Sequence, residues 1–185
     1  METISFSKAF KYPFNRPMRL FYILLIFLPI IGWFALTGYI VKIINEFIEG
    51  KYEELPQLQF MEDLKLGFLL FLKSLPFFLV YIILIEGASY LNETFGIILN
   101  LLGSFFILPI LTINFYRKQT VSSYFEFGIL KCVTENFEDY VSTFIKQFVL
   151  ILIFAVLSIV LIGIPAASFT SYIFFANFYG RRVLE

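Results

Sequence analysis

Four long apolar stretches, separated by short polar segments, set the pattern of this chain. They cover residues 20–41, 66–85, 95–116 and 147–180, and apart from Lys73 they contain no charged side chain. About 20 helical residues cross a hydrocarbon core about 30 Å thick, so each stretch is long enough to span a membrane. The pattern therefore predicts an all-α fold, a polytopic membrane helical bundle, formed as a single integral membrane domain over residues 1–185.

Proline and glycine interrupt the stretches and predict broken helices or hairpins. The first is interrupted at residues 29–32, so it is either one crossing with a proline kink or a re-entrant hairpin whose backbone the protein must shield. Pro76 is expected to break the second stretch. The last stretch would be about 51 Å long as one helix, which predicts two short arms that turn at residues 163–165.

The polar segments are expected to contain amphipathic connecting helices and one short loop. Residues 123–126 read Ser-Tyr-Phe-Glu and fit a capping box, with a hydroxyl at the N-cap and a carboxylate three residues later. Residues 124–144 then place apolar side chains on one face, which predicts a helix on the membrane surface or on the bundle rather than a crossing. Residues 86–94 are expected to form a loop.

The basic residues predict an orientation in the cell membrane. None of the fourteen Lys and Arg residues lies between residues 86 and 116, and cytoplasmic loops collect Lys and Arg. We therefore expect the loop at 86–94 outside and both termini in the cytoplasm. Residues 42–65 also carry lysines, so the same rule favours the hairpin for the first stretch. That stretch is longer than a signal-peptide core and no small-residue cleavage site follows it, so we expect it to remain uncleaved.

Composition narrows the classes of function. The chain is 59% hydrophobic and 15% charged, whereas soluble proteins average about 25% charged residues. Its formal net charge is zero, so no overall field attracts nucleic acid. There is no histidine to act as a base or metal ligand, and the single cysteine, Cys132, has no histidine to activate it. We expect no enzyme activity, no catalytic residue, no metal and no cofactor.

Three polar residues inside the stretches are the candidates for intramembrane contacts. Lys73 either extends its ammonium group to the interface or lines a substrate or ion path. Asn100 and Asn114 lie on roughly one face of the third stretch, where they either form hydrogen bonds between helices or line a polar path.

The opening of the chain resembles a family of short polytopic membrane proteins of archaea and bacteria, known as a domain of unknown function. The residues that carry the resemblance are Tyr12, Pro13, Phe14, Pro29, Gly32, Trp33, Gly38 and Tyr39. The pattern departs from the family at residues 15–16, Asn-Arg, where an acidic residue is expected nearby. The resemblance implies an integral membrane protein and brings no reaction, substrate or catalytic residue.

Three classes of function remain. The first is a non-catalytic membrane protein that organises lipid or partners other membrane proteins. The second is a small transporter or channel, suggested by the broken helices and by Lys73. A chain of this size without a visible repeat would need to self-oligomerise to form a transporter or channel. A membrane enzyme that acts on lipid is disfavoured by the lack of histidine. The expected partners are membrane lipids, other membrane proteins or further copies of the chain.

Overall fold

The computed structural model describes residues 2–184, apart from the side chain of Val160, and 84% of the chain is helical. No strand occurs within the described residues, which confirms the all-α prediction. The α-helices are α1 (Phe6–Lys11), α2 (Ile31–Ile48), α3 (Phe60–Leu91), α4 (Glu93–Leu102), α5 (Leu108–Lys118), α6 (Lys131–Glu135), α7 (Phe137–Leu157), α8 (Gly163–Phe169) and α9 (Ile173–Val183). The 3₁₀ segments are Tyr12–Asn15, Pro17–Phe27, Val121–Phe125, Phe127–Leu130 and Ser158–Val160.

Four helices are long and apolar enough to cross a membrane. They are Ile31–Ile48, Phe60–Leu91, Glu93–Lys118 and Phe137–Leu157. The third joins α4 to α5 through a short π-helical turn at Gly103–Ile107. These lengths and compositions support the prediction of a membrane protein.

The first apolar stretch folds back on itself. Of the two predicted alternatives, the structure therefore has the hairpin and not the single kinked helix. The 3₁₀ segment Pro17–Phe27 ends at a turn in which Ile30 has a φ of 66°, and α2 then returns beside it. The indole of Trp33 donates to the Ile26 carbonyl at 3.0 Å and links the two arms. A Cβ on Gly32 would lie 1.8 Å from the Leu25 carbonyl oxygen. Glycine therefore permits the close approach of the arms.

Two further glycines allow α2 and α3 to cross in backbone contact. A Cβ on Gly38 would lie 1.9 Å from the Asp63 carbonyl oxygen, and one on Gly67 would lie 1.9 Å from that of Phe34. Small residues at helix crossings are typical of membrane bundles. This crossing attaches the long α3 to the buried α2.

The predicted break at Pro76 and the predicted loop at 86–94 were wrong. Helix α3 continues through Pro76 to Leu91, as transmembrane helices do when surrounding groups compensate for the lost hydrogen bond. Only Asn92 separates α3 from α4. Its side-chain oxygen accepts from the amide of Phe95 at 3.0 Å and starts α4 immediately.

The predicted surface helix at 124–144 and its capping box were also wrong. Ser123 lies inside a 3₁₀ turn and donates to the Thr120 carbonyl at 2.6 Å instead of capping a helix. Glu126 accepts from the Asn114 amide at 3.1 Å. These partners replace the local cap. The chain breaks again at Asn136, and α7 runs from Phe137 directly into the last apolar stretch.

The last stretch reverses direction as expected, slightly before the predicted position. Helix α7 ends at Leu157, and Leu161 takes a left-handed conformation with a φ of 63° before α8 begins at Gly163. The returning arm is itself broken between α8 and α9. Every residue from Ile173 to Gly180 is buried, so α9 occupies the centre of the packed core together with α2.

Candidate functional site

Charged side chains collect at one end of the molecule, where α2, α5 and α9 end and where α3 and α7 begin. We call this region the charged end, and three of its ion pairs mark it. They are Lys42 with Asp63, Arg117 with Glu49, and Arg181 with Asp139, at N–O distances of 2.7, 2.8 and 2.9 Å. The orientation of this end relative to the membrane stays a prediction.

The Lys42–Asp63 pair is the most enclosed of these contacts. The Asp63 side chain is 1% exposed, and its second oxygen accepts from the Gln59 amide at 2.8 Å. The Lys42 ammonium also donates to the Gln57 carbonyl at 3.3 Å. A buried ion pair is tolerated when its remaining donors and acceptors are satisfied. The pair therefore fixes the crossing of α2 with α3 and neutralises the Asp63 carboxylate.

The three polar candidates from the apolar stretches lie at separate places. Lys73 donates to the Gln119 carbonyl at 2.8 Å, and Asn100 accepts from the Tyr81 hydroxyl at 2.9 Å. Asn114 accepts from the Tyr179 hydroxyl at 2.7 Å. Because each has its own partner, the structure does not bring the three together along one path.

The residues of the opening motif stabilise the fold. Tyr12 and Pro13 are buried, and the Tyr12 ring meets Phe47 edge-on at 4.7 Å between centroids. Phe14 meets Phe154 of α7 at 6.0 Å. Burial raises the pKa of Tyr12, whose hydroxyl has no hydrogen-bond partner in the described part of the chain. This segment thereby joins α2 to α7.

The rest of that motif builds the first hairpin and its attachment to α3. Pro29 is exposed in the turn, while Gly32, Trp33 and Gly38 form the close contacts described above. The Tyr39 hydroxyl donates to the Pro56 carbonyl at 3.0 Å. Apart from the exposed Pro29, each of these residues has a packing role.

A cavity of about 240 Å³ lies between α2, α3 and α5. We call it the hydroxyl cavity because six of its lining side chains carry hydroxyl groups: Thr37, Ser74, Thr112, Tyr116, Tyr124 and Tyr172. Phenylalanines and Leu70 complete the lining, and none of its lining residues is charged. Sequence reasoning missed these residues because single hydroxyls within apolar runs look like ordinary helix surface. The spacing of Thr112 and Tyr116 by one helical turn is the one signal that could have marked them.

Some of these hydroxyls are satisfied by their own helix and some are not. Thr37 donates to the Trp33 carbonyl at 2.9 Å, and Ser74 donates to that of Phe71 at 2.7 Å. The hydroxyls of Tyr116 and Tyr172 form no hydrogen bond with any described residue. Burial raises the pKa of Tyr124 to about 12, so this phenol stays protonated at neutral pH. The cavity thus presents neutral hydroxyl groups in an aromatic surrounding.

The described residues offer little other chemistry. Across residues 2–184, no group of three or more His, Cys, Asp or Glu side chains is arranged to hold a metal ion. Burial raises the pKa of Cys132 to about 11, and the charge of Glu135 acts in the same direction. At neutral pH this thiol is protonated and weakly nucleophilic.

A family model described as protein of unknown function (DUF4013) matches residues 21–164, more than half of the chain. The chain belongs to this family. The match confirms the resemblance drawn from the opening of the sequence, although Tyr12, Pro13 and Phe14 precede the matched region. No curated protein and no solved structure matches the chain.

Proposed function

We propose that the protein is a non-catalytic membrane protein that organises lipid around the hairpin formed by α3 and α4. The supporting observation is that this hairpin exposes apolar side chains on all sides. Ile82, Ile83 and Leu84 are successive residues, and each is at least 57% exposed. Successive helical residues point about 100° apart, so no single protein surface covers all three. Lipid is the solvent that suits such a helix.

The lengths of the helices give the hairpin a means to act on lipid. Helix α3 has 32 residues and α2 has 18, which correspond to about 48 Å and about 27 Å at 1.5 Å per residue. A hydrocarbon core is about 30 Å thick. Bilayers respond to such mismatch by a change of local thickness or by helix tilt. A long helix attached to a short one would favour a different bilayer thickness in the lipids beside each helix.

The arrangement of charge supports a role without catalysis. The most buried carboxylate, Asp63, is neutralised by Lys42, and Asp139 is shared between Arg181 and Arg182. A catalytic pair needs groups that are free to exchange protons with a substrate. We therefore propose no reaction and no cofactor for this protein, and we propose lipids as its first partners.

Quenching by lipid tests the environment of the hairpin. Single cysteines at Ile82, Ile83 and Leu84, in a Cys132→Ser background, carry bimane labels in native membranes and in phosphatidylcholine vesicles. We expect brominated phospholipid to quench all three labels to a similar extent. A label that is protected at one position in native membranes would show a protein partner there. Quenching by aqueous iodide on one face would show a water-filled path and favour the transporter.

A second measurement tests lipid organisation itself. Spin-labelled phospholipid reports chain order in dimyristoyl-phosphatidylcholine vesicles, whose core is thinner than α3 is long. We expect the reconstituted protein to raise chain order, because lipids beside the hairpin must extend. The matched control shortens the free end of the hairpin by removal of residues 83–91 and 93–101, and the ordering should decrease. Unchanged chain order with the full chain would contradict the proposal.

A further inference from the structure

The hydroxyl cavity contains tyrosine hydroxyls that no described residue satisfies, and these indicate what it accommodates. Thr37 and Ser74 are bonded to their own helices, whereas the hydroxyls of Tyr116 and Tyr172 have no partner among residues 2–184. A hydroxyl that faces a largely apolar cavity without a partner forgoes the free energy of a hydrogen bond. A molecule that brings an acceptor into the cavity would remove that cost.

The cavity opens beside the surface that faces lipid. Phe71 and Phe78 line it from α3, and these two side chains are 46% and 39% exposed. A molecule dissolved in the membrane can therefore reach the cavity along α3. The opposite wall is closed by Tyr124, which is 1% exposed and stacks on Phe115 with 4.3 Å between ring centroids.

The lining selects against charge. It contains no Lys, Arg, Asp or Glu. The nearest cation along α3 is Lys73, whose ammonium is bonded to the Gln119 carbonyl. An ionised group in such surroundings would lose its hydration without gaining a counter-ion. A phosphate or a carboxylate is thus disfavoured, while a neutral carbonyl accepts from phenolic hydroxyls without this penalty.

We propose that the hydroxyl cavity binds the carbonyl group of a neutral membrane-soluble molecule, either the ester of an acylglycerol or the ring carbonyl of a quinone. The aromatic lining packs against the attached ring or glycerol, and the apolar chain leaves between Phe71 and Phe78 into the lipid. The volume of about 240 Å³ holds the polar part of such a molecule but not its whole chain. This inference deepens the proposed function, because it rests on a lipid environment around α3.

Titration of the full chain in dodecyl maltoside tests the site. Trp33, the only tryptophan, precedes the cavity residue Phe34, so its fluorescence reports binding. Decylubiquinone is the quinone probe, and dioctanoylglycerol is tested as a competitor and by its shift of the thermal midpoint. We expect saturable binding of at least one probe. Binding of only one of them assigns the source of the carbonyl.

Hydroxyl deletion shows where the probe binds. Tyr116→Phe/Tyr172→Phe keeps both rings and removes both donors, and we expect affinity to fall about tenfold, as the loss of two neutral hydrogen bonds implies. Tyr22→Phe is the matched control, because its ring packs on Tyr39 outside the cavity, and it should bind as the wild type does. Ser74→Leu fills the cavity and should abolish binding.

Three results would overturn the inference: no saturable binding of either probe, wild-type affinity in the double variant, or wild-type affinity in Ser74→Leu. Each leaves the quenching of the hairpin labels by brominated lipid unaffected. A failed carbonyl site is therefore distinguishable from a failed proposal about the hairpin. Circular dichroism of each variant confirms that it is folded before it is titrated.

Discussion

Two apolar parts of the molecule have opposite surroundings. In the packed half, which comprises α2, α5, α8 and α9, most side chains are buried. In the α3–α4 hairpin most are exposed. The most apolar window of α2 is 56% buried and has a mean hydropathy of 1.3, whereas that of α3 is 17% buried and has a mean hydropathy of 2.5. The less apolar helix is therefore the more buried one.

This reversal follows from the difference between protein and lipid as a solvent. Protein can supply partners for polar side chains, as Gln147 illustrates: its amide donates to the Thr170 carbonyl at 2.8 Å and accepts from the Phe174 amide at 3.1 Å. Lipid tails supply none. A helix that faces lipid must be more apolar than one enclosed by protein. The comparison thus separates a packed scaffold from an exposed apolar surface in this chain.

Loss of the ion pair between Lys42 and Asp63, which joins the two parts, should cause the largest loss in the free energy of unfolding. Asp63→Ala leaves the Lys42 ammonium beside backbone carbonyls without its counter-ion, and we expect a loss of about 3 kcal/mol in unfolding free energy. Denaturation in mixed micelles measures it. Glu62→Ala is the matched control, because Glu62 is exposed on the same turn, and it should change stability by less than about 0.5 kcal/mol.

The double variant Lys42→Met/Asp63→Leu sharpens this result. It replaces the pair by apolar side chains, and we expect it to recover much of the stability lost in Asp63→Ala. If Asp63→Ala is as stable as the wild type, the pair does not hold α3 to the packed half.

Glycine-to-alanine substitutions in the two parts should change the stability of the protein in opposite directions. A Cβ on Gly38 would lie 1.9 Å from the Asp63 carbonyl oxygen, so Gly38→Ala must separate α2 from α3 and should cost about 2 kcal/mol. Gly87, near the free end of the hairpin, has no neighbour within 4 Å of an added Cβ. Gly87→Ala should stabilise the helix by about 0.5 kcal/mol. Thermal unfolding of both variants in the same detergent measures these changes in stability. Changes of the same sign would argue against the division into a packed half and an exposed hairpin.

Removal of the Lys73 charge should have a smaller and local effect. Its ammonium binds the carbonyl of Gln119, which has a φ of 55° at the end of α5. In Lys73→Met that carbonyl loses its donor, and we expect a cost of about 1 kcal/mol. Hydrogen exchange should become faster in residues 119–125 and stay unchanged in α4. Lys65→Met removes an exposed lysine and should change neither segment.

Much of the fold could be predicted from the sequence because it depends on chain-local patterns. Apolar length gave the membrane helices, and proline and glycine near residues 29–32 and 163–165 marked the two reversals. The failures have long-range causes. The apparent capping box at 123–126 does not form because Glu126 accepts from Asn114, twelve residues earlier, and Ser123 donates to the Thr120 carbonyl. Helix α3 continues through Pro76, because the groups around a proline, and not the local sequence, decide how much the lost hydrogen bond costs.

The candidate sites were less predictable than the fold. Lys73, Asn100 and Asn114 stand out in sequence because they are polar among apolar residues, yet each has its own partner. The hydroxyl cavity is assembled from α2, α3 and α5 together with Tyr124 and Tyr172. Such convergence depends on how the helices cross at Gly38 and Gly67, and hydropathy does not encode it.

The smallest predicted effect is a pH dependence confined to the charged end. Hydrogen bonds from Lys51 and then Arg117 hold the pKa of Glu49 below its usual 4.5. A lowered folded-state pKa means that the stabilisation is present above pH 4.5 and is lost as the pH falls through the folded value. Glu126 acts with the same sign, because Lys118 and Asn114 lower its pKa. The charged end should therefore loosen in acid.

Hydrogen exchange between pH 7 and pH 3, corrected for the intrinsic effect of pH, measures this loosening. We expect protection to fall at residues 45–52 and 116–120, where Glu49 and Arg117 join α2 to α5, before it falls at the α3–α4 contact between Tyr81 and Asn100. Glu49→Gln should reduce the pH dependence at the first two segments, because the glutamine cannot titrate, and should leave the hairpin unchanged. Simultaneous loss of protection in both parts would show that they unfold as one cooperative unit. The packed half and the hairpin would then differ in their surroundings but not in their stability.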